Sequence, residues 1–191
     1  MTSSVQDRVV VPASGLDGLF DALHAEGWPV IGPTVRDGVI TVAPLTSSDD
    51  LPRGWGDEQD AGSYRIARRD DDAFFGYAAP AGTWKRHLFP AQSVLWRARM
   101  VRGAPVIEET TERPGRRALL GIRGCDLAAV LVQDRVLLHG SHPDPVYAAR
   151  RADLLLVAVA CGAPASTCFC ASMRAGPGVG DGADVAMTEL D

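Results

Sequence analysis

Apolar positions near the start of the chain fall at helical spacing: Leu16, Leu19, Phe20 and Leu23 recur in steps of three and four after Ser14, and Gly27 can stop the run. The pattern predicts a helix over about 15–26 with Ser14 as its N-cap. In PVIGPTVRDGVITVAPL two β-branched runs flank Asp37-Gly38, which predicts a β-hairpin. SSDDLPRGWGDEQDAGS then reads as a polar, Gly-rich, irregular connection. From Ser63 to Tyr77 two short strand-like pieces flank an acidic turn, and WKRHLFP reads as a short amphipathic turn stopped by Pro90. Residues 102–116 are polar and read as the connection between two halves.

The pattern sharpens in the second half. RRALLGIRGCDLAAVLVQDRVLL is a short apolar strand, about 117–122, passing through a Gly-rich turn into a helix over about 125–137. After HGSHPDPVYAARRAD comes LLLVAVAC, a continuous apolar run of the length and composition of a buried strand. Strand, helix, strand in that order predicts a βαβ unit with parallel strands, whose C-terminal ends lie on one edge of the sheet. The fold class predicted is α/β, with an α+β N-terminal part and a mixed sheet containing this parallel unit. One domain is expected over 1–191, made of an α/β half with hairpins (1–101) and a cysteine-bearing βαβ half (117–191).

Composition narrows the function classes. The chain has 191 residues, 46% of them hydrophobic, enough to bury one core. Its net charge is −5 and no Lys/Arg block is interleaved with aromatics, so the footprint of a nucleic-acid binder is missing. There is no signal-peptide pattern and no run of apolar residues long enough to span a bilayer, so a soluble, cytoplasmic protein is expected. In that reducing compartment the four cysteines, Cys125, Cys161, Cys168 and Cys170, are expected as metal ligands, redox groups or buried apolar residues rather than as disulfides.

The predicted topology brings these cysteines together. Cys125 lies just past the first parallel strand and Cys161 at the end of the second. The loop with Cys168 and Cys170 starts from the same edge, where open α/β sheets place their ligands. Cys125 also falls at a helix N-terminus, which favours thiolate over thiol. Asp126 is a candidate cap for that helix, and Arg123 a candidate to offset negative charge at the thiolates. Zinc bound by four thiolates at about 2.3 Å needs a tight tetrahedron. An extended Cys-x-Cys spaces its side chains roughly 6.6 Å apart, which suits the corner irons of a cubane better. An iron–sulfur cluster, zinc, and unligated buried or redox cysteines all remain open on these grounds.

Other candidates carry less. His139 and His142, flanked by Gly, Ser and Pro, read as exposed loop residues. GPGVGDG follows no strand and opens no helix, so it reads as a loop beside the metal site rather than a phosphate cradle. Trp28, Trp55, Trp84 and Trp96 are scattered and read mostly as packing residues. No Ser/His/Asp constellation or carboxylate pair points to a hydrolase.

Taken in order, LPRGWGDEQDAGSYRI, FFGYAAPAGTWKRHLFP, GIRGCD, DPVYAARR, VAC and TCFCASM with its following Gly-Pro resemble the N-terminal domain of the family of sulfhydrogenase beta subunits and their anaerobic sulfite reductase counterparts. The resemblance implies an iron–sulfur electron-transfer subunit that performs no reaction alone. It would work beside the catalytic subunit of a nickel–iron hydrogenase or a sulfite reductase, together with a flavoprotein using NAD(P)H. It also implies that Cys125, Cys161, Cys168 and Cys170 bind a [4Fe-4S] cluster. The sequence departs from the family in two places. Family members continue into a ferredoxin-like region with two further cysteine motifs, whereas no cysteine here follows Cys170. The expectation is either a shortened piece or a naturally short, single-cluster relative. Arg174-Ala175-Gly176-Pro177 stands where the family tends to Gly-Thr-Gly-Pro, so loop contacts are not carried over. A zinc or metal-free docking domain for a catalytic partner is the alternative from another class, and flavin or nucleotide binding at the sheet edge a third.

Overall fold

The computed structural model describes residues 8–82, 84–109 and 115–190. The elements are α1 (Gly15–Ala25), β1 (Val30–Arg36), β2 (Val39–Leu45), a 3-10 turn at Ser48–Asp50, β3 (Trp55–Asp60), β4 (Ser63–Arg68), α2 (Lys85–Leu88), β5 (Trp96–Val101), β6 (Ala104–Glu109), β7 (Arg117–Ile122), α3 (Gly124–Leu137), α4 (Pro145–Ala152), β8 (Leu154–Val159) and β9 (Val185–Met187). No helix among the described residues is long and apolar enough to cross a membrane.

Five strands form one mixed sheet in the order β2-β1-β7-β8-β9. The β1–β2 hairpin is antiparallel, while β1–β7, β7–β8 and β8–β9 are parallel. The fold is therefore α/β, and strands from both halves of the chain hydrogen-bond into the same sheet. Because β7 and β8 are covered on both faces, every residue from Ala118 to Ile122 and from Leu156 to Val159 is buried. That is why these runs are continuously apolar rather than alternating.

Each face of the sheet has its own core. One packs Phe20 and Leu23 of α1 against Val30, Ile40, Leu120 and Val157, with Phe75 and Tyr77 from the connection after β4. The other packs Leu127 and Val130 of α3, Tyr147 of α4 and Trp84 and Leu88 around α2 against Ile31, Leu119, Ile122 and Leu156. A bulge divides β7 between them: Leu120 pairs with Val157 and Ile122 with Ala158, leaving Gly121 out of the ladder. Gly121 has φ +89, and a Cβ there would stand 3.1 Å from Pro33 Cδ. The extra residue reverses the side-chain alternation. Ile122 thus joins Leu119 on the α3 face, and Arg123 turns to the Phe75–Tyr77 face.

Several local expectations are corrected. Ser14 precedes α1 but makes no side-chain cap. The 47–63 connection contains β3, paired with β4 through an Ala61-Gly62 turn; its side chains alternate too little in polarity to announce a strand. Only the first of the two strand-like pieces after Ser63 is a strand. The polar 102–116 stretch contains β6, which pairs with β5, while residues 110–114 lie outside the described residues. Trp96, Met100 and Ile107 of this hairpin are exposed, so of the four tryptophans Trp96 is not a packing residue. DPVYAARRA, within the predicted connection, forms α4: Asp144 accepts from Val146 N at 2.8 Å and Tyr147 N at 3.0 Å, and Pro145 follows in the first turn.

Candidate metal centre

β7 and β8 run parallel in register, Leu119 opposite Leu156, and both deliver the chain to the same sheet edge. Cys125 follows β7 as the second residue of α3, and Cys161 follows β8 by two residues. Beyond Cys161 the chain makes a tight turn: Cys168 N donates to Ala165 O at 3.0 Å, and Ala165 N donates to Cys168 Sγ at 3.3 Å. Ser166 Oγ donates to Gln59 O at 2.8 Å, tying this turn to the β3–β4 hairpin.

The chain then folds back along the start of α3. Ala175 N donates to Cys170 O, and Cys161 N to Pro177 O, each at 2.9 Å. The Gly176-Pro177 peptide is cis. A Cβ on Gly176 would stand 3.3 Å from Cys170 Sγ, and a Cβ on Gly124 would overlap the Gly178 carbonyl oxygen, so Gly124 lets backbone pass where a side chain would not fit. Between α3 and this return loop lies an open groove of about 400 Å³, lined by Gly124, Ala128 and Leu131 on the helix and by residues 174–176 and 178–181 of the loop. The GPGVGDG stretch forms one wall of that groove and opens no helix.

Cys125 and Cys168 are exposed, Cys161 and Cys170 half-buried, and none is in a disulfide. The helix terminus predicts a favoured Cys125 thiolate, and the balance is the reverse. Partial desolvation of the sulfur, and then the neighbouring Asp126 carboxylate, push the thiol above its ordinary value, against the pull of the Asp126 and Cys125 N–H groups. Among the described residues, no three Cys, His, Asp or Glu side chains stand together as they would around a bound ion. His139 and His142 are in the α3–α4 connection, His142 fully in the loop before Asp144. Thiols are soft donors, so Cys125, Cys161, Cys168 and Cys170 would suit iron–sulfur or zinc rather than a hard cation.

Two neighbours complete the edge. Asp126 accepts from Arg123 N at 3.3 Å, so it does serve the start of α3; burial pushes its carboxyl above the ordinary value, with Arg123 pulling the other way. Arg123, 1% exposed, donates through Nη1 to Ala160 O at 2.9 Å and through Nη2 to Phe75 O and Tyr77 O at 2.9 and 2.7 Å. The acceptors at Phe75, Tyr77 and Ala160 are carbonyls of apolar residues, and no side-chain pattern could have singled them out.

No family model matches the chain. A 76-residue stretch is 34% identical to sulfhydrogenase 2 subunit beta of Pyrococcus furiosus, covering 40% of this chain and 22% of that protein. The match thus spans about a fifth of the relative's length. No solved structure matches.

Proposed function

We propose that the chain is an iron–sulfur electron-transfer component of a multi-subunit oxidoreductase of the hydrogenase, sulfhydrogenase or sulfite reductase type, with Cys125, Cys161, Cys168 and Cys170 as ligands of one [4Fe-4S] cluster. The observation that carries this reading is the shared edge: parallel β7 and β8 bring Cys125 and Cys161 to one side of the sheet, and the loop that follows Cys170 returns against the start of α3 at Gly124. The partial likeness to a sulfhydrogenase beta subunit supports it. Residues 1–191 are read as one iron–sulfur domain. Its partners are read as the catalytic subunit of a hydrogenase or reductase, together with a flavin-containing, NAD(P)H-using protein, in the cytoplasm.

When bound, such a cluster takes up and releases single electrons. The chain's own residues would hold it and set its surroundings. The thiols supply the ligands, the Ala165 N–H stabilises negative charge on the Cys168 sulfur, and the buried ends of β7 and β8 wall off water from behind.

Anaerobic reconstitution with iron and sulfide, followed by metal analysis, visible absorption and EPR, tests the reading. One reducible cluster per chain is expected, lost on Cys168→Ser or Cys125→Ser. The second reading is a zinc-holding or metal-free docking domain, because four thiols suit zinc as well as an iron–sulfur cluster. One equivalent of zinc without iron or acid-labile sulfide, or a colourless chain indifferent to both substitutions, would replace the first reading with the second.

A further inference from the structure

We propose that Arg123 is the positioning residue of this centre: its buried guanidinium ties the end of β8, beside Cys161, to the end of β7, beside Cys125, and so sets the spacing of the two thiols. The inference rests on the cysteine-ligand reading above and deepens it.

Arg123 is the residue between β7 and α3, two before Cys125, and its Nη1 bonds the carbonyl of Ala160, the residue before Cys161. Its Nη2 bonds two further carbonyls, of Phe75 and Tyr77, in the segment that covers this face of the sheet. All three acceptors are main chain, so the clamp fixes backbone positions rather than rotamers. The main chain of Arg123 is held as well, since its N–H donates to Asp126. The Tyr77 ring lies 4.9 Å from the guanidinium carbon, closing the fork on one side.

Two features argue that the residue must be arginine. Three carbonyls converge on a planar fork, which an ammonium on a flexible stem does not reproduce. A guanidinium this deeply buried, bonded only to neutral carbonyls, is costly unless negative charge lies near. The Asp126 side chain, which accepts from the Arg123 main chain, lies beside it. The Gly121 bulge is the device that delivers the side chain, because without the extra residue position 123 would point to the opposite face.

The test is done first without iron, on the full chain carrying Cys168→Ser and Cys170→Ser, so that Cys125 and Cys161 are the thiols left. Dibromobimane joins and fluoresces with two thiols only when they lie close together. The parent should cross-link, Arg123→Lys and Arg123→Gln should do so several-fold more slowly at matched circular dichroism, and Arg97→Gln on the exposed hairpin should match the parent. In the four-cysteine chain, iron retained after anaerobic reconstitution should fall about tenfold for both Arg123 variants. Equal cross-linking in parent and variants, no cross-linking in the parent, full rescue by lysine, or loss of the folded signal in both variants overturns the proposal. The cross-linking arm contains no iron, so its failure is distinct from a failure of the chain to bind a cluster.

Discussion

Gly124 lies against the carbonyl of Gly178: a Cβ at position 124 would overlap that oxygen and stand 3.0 Å from the carbonyl oxygen of Ala175. Both obstacles are backbone, which cannot rotate aside as a side chain can. Gly124→Ala is therefore expected to push the 175–178 loop off the start of α3 and to destabilise the chain by about 1–3 kcal/mol. Chemical denaturation measures the loss, and faster alkylation of Cys170, beside Gly176, reports the displaced loop. An unchanged midpoint and unchanged Cys170 reactivity would show that the loop does not sit there.

Glu189 joins the end of the described chain to the segment that covers Arg123. Its two carboxylate oxygens accept from Phe74 N at 2.7 Å and Phe75 N at 3.0 Å. Glu189→Ala leaves both amides without this partner, and because the site is open to water the expected cost is about 1 kcal/mol. Faster hydrogen exchange at the Phe74 and Phe75 amides should accompany it.

Asp144 caps α4 with one oxygen shared by two amides, and Asp134 then receives Tyr147 Oη at 2.6 Å and Arg151 Nε at 3.1 Å, binding α4 to α3. Asp144→Ala should cost about 1 kcal/mol and Asp144→Asn much less, because asparagine keeps an acceptor at the cap. Equal losses for the two would mean that the charge, not the cap, is what matters.

His87 makes stability depend on pH. Burial, and then Arg86, Arg117 and Arg150, push its pKa down to about 4 from 6.5, and its Nε2 accepts from Arg86 Nε at 3.4 Å, as a neutral ring can. Between those two values the unfolded chain binds a proton that the folded chain refuses. Stability therefore falls as pH drops from 6.5 towards 4 and this contribution levels off below. Discounted for the solvent that reaches this half-buried ring, the change is about 1 kcal/mol. His87→Gln should flatten the dependence of the denaturation midpoint on pH across that window. A slope identical to the parent's would assign it to other groups.

The parallel unit could be read from the chain because β7 and β8 are buried on both faces, and two-sided burial leaves an unbroken apolar run in each. The β1–β2 hairpin and α1 were legible for the same kind of reason, a turn signal at Asp37-Gly38 and a helical apolar stripe. β3, β6 and α4 were not. β3 and β6 are held by cross-strand hydrogen bonds with little burial, and α4 buries Tyr147 and Arg150 rather than a stripe of aliphatic residues, so no apolar periodicity marks them.

For the candidate centre the division is similar. Sequence by itself determined which residues can act, four cysteines and their order along the chain, and through the βαβ pattern it determined that Cys125 and Cys161 share an edge. Tertiary structure alone decided how that edge is built. The Gly121 bulge turns Arg123 onto three carbonyls, and the Gly124–Gly178 contact lays the return loop along α3. Desolvation with the Asp126 carboxylate reverses the expected push on the Cys125 thiol. These are effects of backbone carbonyls, register and solvent exclusion, which belong to positions in space and leave no mark in the identity of the residues that supply them.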